Sequence, residues 1–125
     1  MSVDVDTALS EFAALFDAGR YHDAHEVLDR AWMETEGSDA DFLKGLIQAS
    51  ICLYHFERDN FEGARKLYSG HRRLLATYLP SHRGVDVENF LGQMQVCLRP
   101  IVRARPGTVA SFDPEQRPRL PRTAP

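Results

Sequence analysis

Two histidines and two acids line one edge of a predicted helix near the start of the chain. His22 and Glu26 lie four residues apart, and so do His25 and Asp29, a spacing that brings two side chains onto one helical face. The apolar residues of the same stretch, Trp32 among them, fall on the neighbouring face, which predicts a polar site at the border of a core. Imidazole and carboxylate groups held in this way can bind a metal ion or exchange a proton.

A later, largely apolar stretch contributes two further polar groups. Gln48 and His55 are seven residues apart, so they lie on one stripe of the predicted third helix. A buried amide without a hydrogen-bond partner costs about 1–3 kcal/mol, so Gln48 requires one. We expect the partner to come from the edge of the second helix, where His25, Glu26 and Asp29 lie.

Three interpretations of this polar cluster remain open from the sequence. In the first, which we favour, a carboxylate orients His25 or His55, and Gln48 closes a network that fixes how the helices pack. In the second, two ligands from the second helix and a third from His55 hold a metal ion, although the stretch lacks the HExxH arrangement. In the third, a histidine that titrates near neutral pH is paired with Glu26 and performs acid–base chemistry on a small substrate. The candidates for both kinds of chemistry are His25, Glu26 and His55; a binding or structural role is expected for His22, Asp29, Trp32 and Gln48, and no cofactor is predicted.

Hydrophobic periodicity predicts an all-α chain with five helices. The stretches 7–18 and 21–35 are separated by a very short turn. A third helix over residues 39–59 is apolar almost all round, as is typical of a central helix. Asn60 and Asp86 are the predicted N-caps of the fourth and fifth helices.

A similarity at a period of 40 residues relates the two helix junctions of the first half. Residues 19–24 align with residues 59–64, so that a tight turn, an aromatic residue and an alanine recur in the same order. This pattern is typical of tetratricopeptide-like antiparallel hairpins. We therefore predict a compact five-helix bundle over residues 1–102, built from two such hairpins plus a closing helix. A Pro/Arg-rich tail, residues 103–125, is expected to be extended or disordered.

Composition restricts the class of protein. The net charge of −3 hides an asymmetry, since residues 1–41 hold eleven acids and two arginines, whereas residues 42–125 hold thirteen basic residues and seven acids. The acidic half is expected either to be solvated or to face the basic half, within one molecule or between two. The pI of about 5.9 argues against nucleic acid as a partner. No apolar run approaches the ~18 residues of a membrane span, so no membrane partner is expected.

The location predicted for this chain is the cytoplasm. Its first residues are acidic and lack the basic and apolar layout of a signal peptide. Cys52 and Cys97 lie 45 residues apart in apolar helical contexts without a CxxC spacing, which predicts two buried free thiols.

Several of these residues, taken together, resemble a known family. The resemblance to the family called domain of unknown function 309 covers about residues 9–79. It is carried by Tyr21-x-x-Ala24-His25-Glu26-x-Leu28-x-x-x-Trp32, Phe42-Leu43-x-Gly45-Leu46-Ile47-Gln48, His55 and Asn60-x-x-Gly63-Ala64. It implies a small, all-helical protein of bacteria or archaea that uses His25, Glu26, Trp32, Gln48 and His55 as one group. Where this chain has Asp29, the family pattern favours Glu, and the family has no established activity.

The predicted function is that of a small helical protein that binds a partner protein or forms a homo-oligomer, with a polar His/Glu/Gln cluster at a helix–helix seam. The alternative is a small metal-dependent or acid–base enzyme that uses His25, Glu26 and His55. An enzyme needs the side chains of His25 and His55 to converge on an open pocket. A structural network needs both side chains to be hydrogen-bonded and shielded from solvent.

Overall fold

The computed structural model describes residues 4–103 and 110–123 and has an all-α architecture. Its helices are α1 (Val5–Asp17), α2 (Tyr21–Met33), α3 (Ser38–Glu57), α4 (Phe61–Leu75) and α5 (Val87–Val102). A 3-10 turn (Ala76–Tyr78) follows α4, and two short strands, β1 (Ser81–His82) and β2 (Val85–Asp86), precede α5. The predicted five-helix bundle is confirmed. Within the described residues, no helix combines the length and apolar character needed to cross a membrane.

Three of the helices begin at a polar residue that caps the first turn. The side chains of Asp4, Asn60 and Asp86 each accept a hydrogen bond from an amide two or three residues further along the chain. Such caps satisfy amides that have no partner inside the helix, and each is worth about 1 kcal/mol. Asn60 and Asp86 therefore cap the helices for which the sequence predicted them.

The central helix is α3, as its apolar surface predicted. It packs along α2 on one side and along α4 on the other. Ser50 Oγ donates to the Tyr21 carbonyl oxygen at 2.7 Å, which ties α3 to the start of α2. Gly45 faces α4, where a Cβ would overlap the Leu75 side chain. The close approach of the two helices therefore requires glycine, although glycine costs about 1 kcal/mol in a helix interior.

The fifth helix closes the bundle over the first hairpin. Phe16, at the end of α1, contacts both Tyr21 and Phe90, with ring centroids 5.3 and 5.7 Å apart. These aromatic rings join α1, α2 and α5 in one core. Cys52 and Cys97 are both buried and free, as predicted.

A two-stranded ribbon connects α4 to α5. Ser81 pairs with Asp86 and His82 with Val85 in an antiparallel register. The turn residues Arg83 and Gly84 have φ angles of 48° and 75°. This left-handed conformation is the one that two-residue hairpin turns require.

The strap segment, defined here as residues 110–123, packs against the bundle in a mostly extended conformation with one 3-10 turn. Arg117 donates to Tyr21 Oη at 2.8 Å and to Glu57 Oε1 at 2.9 Å. The buried Leu120 donates its amide hydrogen to Asp17 Oδ1 at 2.8 Å. These contacts fix the strap segment beside the α1–α2 turn; residues 104–109, 124 and 125 of the predicted tail lie outside the described residues.

Candidate functional site

The polar edge of α2 begins with a local pair. His22 Nδ1 lies 3.3 Å from Glu26 Oε1, and both side chains are more than half exposed. His22, Asp23 and Glu26 each offer one ligand atom within 4.8 Å of the other two, a separation that a cation could bridge. Asp23 also forms an ion pair with Arg20 at 2.6 Å. The four-residue spacing thus brings His22 and Glu26 together on an exposed surface and not at a sealed seam.

The three residues predicted for catalysis do not pair with one another, since His25 and Glu26 both contact His22, and His55 contacts Asn60. His25 Nδ1 lies 2.5 Å from the carbonyl oxygen of His22, one turn earlier in the same helix. His55 Nδ1 accepts from the side-chain amide of Asn60 at 3.2 Å, so this histidine supports the turn between α3 and α4. Glu26 pairs with His22. Among the described residues, no hydrogen bond or ion pair joins His25, Glu26 and His55 to one another.

The amide of Gln48 turns toward α4 and not toward α2. A Cβ at Gly70 would overlap its side-chain oxygen, and this buried oxygen has no hydrogen-bond partner in the described part of the chain. The expectation that the acids of α2 would bond Gln48 is therefore corrected. The reason is helical register, because Gln48 shares a row with Gly45 and Cys52, both of which contact α4.

Contacts between aromatic rings link α2 to α3 at the polar edge of α2. The His22 ring centroid lies 4.8 Å from that of His25 and 5.4 Å from that of Tyr54. The Arg58 guanidinium lies 4.2 Å from the Tyr54 ring centroid, a distance typical of a cation–π contact. Ring packing therefore orients both imidazoles of α2.

The last two residues of the predicted cluster lie further along α2. Asp29 is exposed, whereas Trp32 is half-buried against the core. Lys44 Nζ lies 6.0 Å from the Trp32 ring centroid. Trp32 thus packs between the core and a lysine of α3.

His71 is completely buried between α4 and α5, beside Tyr68 and Phe90. Its Nδ1 lies 3.3 Å from the Leu67 carbonyl oxygen, and its Nε2 has no partner among the described residues. Burial lowers the pKa of His71 to about 4, because the charged ring would lose its hydration. The ring is therefore neutral at pH 7 and serves as packing.

Sequence reasoning missed a polar cluster where the ribbon meets the start of α3. Asp39 Oδ1 lies 2.8 Å from His82 Nε2, and Arg83 donates twice to Asp39 Oδ2, at 3.1 and 2.8 Å. Arg83 also donates to Asp6 at 3.1 Å. The hydrogen bond from Arg83 holds the pKa of Asp39 below its usual range, and His82 adds to this effect. The pairing joins residues 43 apart, so no local spacing signals it.

A groove of about 300 Å³ lies between α1 and α2. Its lining combines small apolar residues with polar and charged ones, namely Ala8, Val27, Ala31, Asp4, Thr7, Glu11 and Arg30. Asp4 accepts from the Thr7 hydroxyl at 2.7 Å, and this hydrogen bond lowers the pKa of Asp4, so its carboxylate is ionised at neutral pH. Glu11 is exposed and takes part in no ion pair within the described residues. An apolar lining beside carboxylates suits a long cationic side chain, whose stem packs while its charged end reaches an acid.

Comparison with known proteins places part of this fold in a family. Residues 9–67 match the sequence model of the family described as Domain of unknown function (DUF309). The match covers 59 of the 125 residues, so this part of the chain is similar to that family. The uncharacterized protein YpuF of Bacillus subtilis (strain 168) is 34% identical over 79 residues, which make up 62% of this chain and 42% of that protein. The matched region thus spans less than half of the length of this relative.

The DUF309 segment runs from α1 into α4, so the resemblance seen in the sequence is confirmed over those helices. It contains the polar edge of α2, together with Gln48 and His55. It also contains four of the seven residues that line the α1–α2 groove, whereas Asp4, Thr7 and Ala8 precede the match. The ribbon, α5 and the strap segment lie outside the match.

Proposed function

We propose that this protein is a helical binding module whose α1–α2 groove receives an arginine-bearing helix of a partner protein. The observation that carries the proposal is the lining of the groove. Val27 and the edges of the nearly buried Ala8 and Ala31 offer apolar contact. Asp4, the N-cap of α1, and Glu11 within α1 offer two carboxylates, and Arg30 is the one basic residue of the lining. Arginine matches both the apolar contact and the carboxylates, because its stem is apolar and its guanidinium donates to carboxylates in a fixed geometry.

The charge of the first hairpin supports a cationic partner. Residues 4–36 hold nine acids and two arginines. Of these acids, Asp6 pairs with Arg83 and Asp23 with Arg20. An excess of negative charge around a groove raises the local concentration of cationic segments and speeds their association.

Because no hydrogen bond or ion pair among the described residues joins His25, Glu26 and His55 to one another, the geometry supports a binding role over the acid–base alternative. General acid–base chemistry needs such groups within hydrogen-bond reach of one substrate. We include the cytoplasm in the proposal, since the two buried free thiols of Cys52 and Cys97 are ordinary in a reducing compartment.

The proposal is tested by calorimetric titration of the full chain with an amidated, alanine-rich helical peptide that carries arginine at every fourth position. A peptide with glutamine at those positions is the control. We expect only the arginine peptide to bind, and we expect Glu11→Lys to weaken its binding about tenfold, since a charge that faces the ligand changes from attractive to repulsive.

The matched variant is Glu36→Lys, which makes the same change in net charge at an exposed residue outside the groove lining. It should weaken binding far less than Glu11→Lys does. Equal losses in the two variants, or equal affinity for the two peptides, would contradict a groove that recognises arginine.

A further inference from the structure

Four arginines form a second charged surface, here called the arginine face. Arg65 and Arg72 lie seven residues apart on α4, and Arg99 in the last turn of α5 lies four residues before Arg103, the C-cap of that helix. None of the ion pairs found among residues 4–103 and 110–123 involves any of the four. This surface therefore carries positive charge that the described part of the chain does not neutralise.

Apolar surface lies among these arginines. A cleft of about 130 Å³ between α4 and α5 is lined by Tyr68, Gln95, Arg99, Val102 and Arg103. Val102 is 40% exposed, and the Arg72 guanidinium lies 5.5 Å from the Tyr68 ring centroid. The arginine face thus combines apolar contact with cations, which is the complement of an apolar groove beside carboxylates.

The two complementary surfaces lie on different pairs of helices. The groove is formed by α1 and α2, the arginine face by α4 and α5, and α3 packs between α2 and α4. The acids of the first hairpin that form ion pairs with arginine do so with Arg20 and Arg83, as far as the described residues show. Neither of these two arginines belongs to the arginine face, so the charges of the groove and of the arginine face are available for contacts between molecules.

The spacing of the acids at the groove matches the spacing of the arginines on α4. Asp4 and Glu11 are seven residues apart at the groove, and Arg65 and Arg72 are seven residues apart on α4. Seven residues correspond to a rise of about 10.5 Å along a helix. Two helices that lie side by side can therefore bring both arginines opposite both acids.

We propose that the arginine face of one copy docks in the α1–α2 groove of a second copy, so that the chain associates with itself in a salt-sensitive way. This inference rests on the proposed function and names the partner of the groove. Because two different surfaces meet, one copy of a pair keeps its groove and the other keeps its arginine face for further contacts, unless the assembly closes.

The test is sedimentation velocity of the full chain and of two variants. The groove variant is Glu11→Lys, and the face variant is Arg65→Glu with Arg99→Glu. We expect the native chain to associate and its dissociation constant to rise at least about tenfold between about 50 mM and about 300 mM NaCl, because salt screens exposed charges. Each variant alone should sediment as a monomer.

An equimolar mixture of the two variants provides the decisive result. The groove variant keeps its arginine face and the face variant keeps its groove, so the mixture should form a dimer and nothing larger. Far-UV circular dichroism of each variant before mixing shows that both are folded. Lys66→Glu with Arg73→Glu, which reverses two charges on another row of α4, should associate like the native chain.

A native chain that stays monomeric while the arginine peptide still binds the groove would overturn self-association and leave the proposed function standing. A monomer that also fails to bind the peptide would overturn both. A mixture of folded variants that does not dimerise would overturn the pairing of these two surfaces. Binding of a short single-stranded RNA to the arginine face, with no self-association, would also overturn the inference by assigning those arginines to nucleic acid.

Discussion

His22 and His71 have the same side chain and opposite surroundings. His22 is exposed, contacts the rings of His25 and Tyr54 and pairs with Glu26. His71 is buried, and its Nε2 lacks a partner among the described residues. Burial makes protonation of His71 unfavourable in the folded state, so this residue links folding to pH.

The buried histidine predicts a loss of stability in mild acid. The pKa of His71 is lowered from 6.5 to about 4, so the unfolded chain takes up a proton at a higher pH than the folded chain does. The stabilisation is complete above the unfolded pKa and is lost as pH falls from about 6.5 to about 4, by up to roughly 3 kcal/mol.

Urea unfolding across this pH range should show the loss in the native chain and a much flatter profile in His71→Phe. The exposed-histidine variant His22→Phe is the control and should keep the native slope. A His71→Phe profile as steep as that of the native chain would show that other groups cause the pH dependence.

The sequence predicted individual side chains well only where the contact is local. The pairing of His22 with Glu26 follows from a four-residue spacing on one helix. The contact of His82 with Asp39 depends on how a ribbon folds back onto α3, and no spacing rule reports that. The groove was missed because alanine and valine at helical spacing are also what a core requires.

At the scale of elements, the existence and order of the helices could be predicted, whereas the rotation of each helix toward its neighbours could not. Periodicity identifies α3 as apolar almost all round, which leaves open the neighbour that each row faces. Gly45 and Gly70 show which row of α3 faces α4, because both lie where the two helices approach closely. Gln48 consequently lies against α4, and the predicted network with His25 and Glu26 does not include its amide.

This close approach predicts the effect of a side chain at Gly70. In an exposed helix, Gly→Ala stabilises by about 1 kcal/mol. Here we expect Gly70→Ala to give little or none of this gain, because its Cβ would overlap the Gln48 side-chain oxygen and the flexible amide must move aside.

A double-mutant cycle in urea unfolding measures this contact. In the Gln48→Ala background, Gly70→Ala should give its full gain of about 1 kcal/mol, so the coupling free energy between the two positions is expected to approach about 1 kcal/mol. Additive effects of the two substitutions would mean that Gln48 does not restrict the approach of α4.

At the scale of the whole molecule, the sequence predicted that acidic and basic residues are separated along the chain, but not which surfaces they form. Eleven acids in the first third of the chain and thirteen basic residues in the remainder are evident from composition. Folding turns this asymmetry into a groove on α1–α2 and an arginine face on α4–α5. The strap segment, which the sequence left as extended or disordered, packs through Arg117 and Leu120 beside the α1–α2 turn.

Methyl NMR of the full chain tests most directly whether the α1–α2 groove binds arginine side chains. On addition of the arginine peptide, the methyl resonances of Ala8, Val27 and Ala31 should shift together, and the glutamine peptide should leave them unchanged. In the folded face variant, which does not self-associate, the methyls of Val102, which line the cleft between α4 and α5, should shift with neither peptide. Shifts that spare Ala8, Val27 and Ala31 while other methyls respond would place the binding surface elsewhere and contradict the proposed role of the groove.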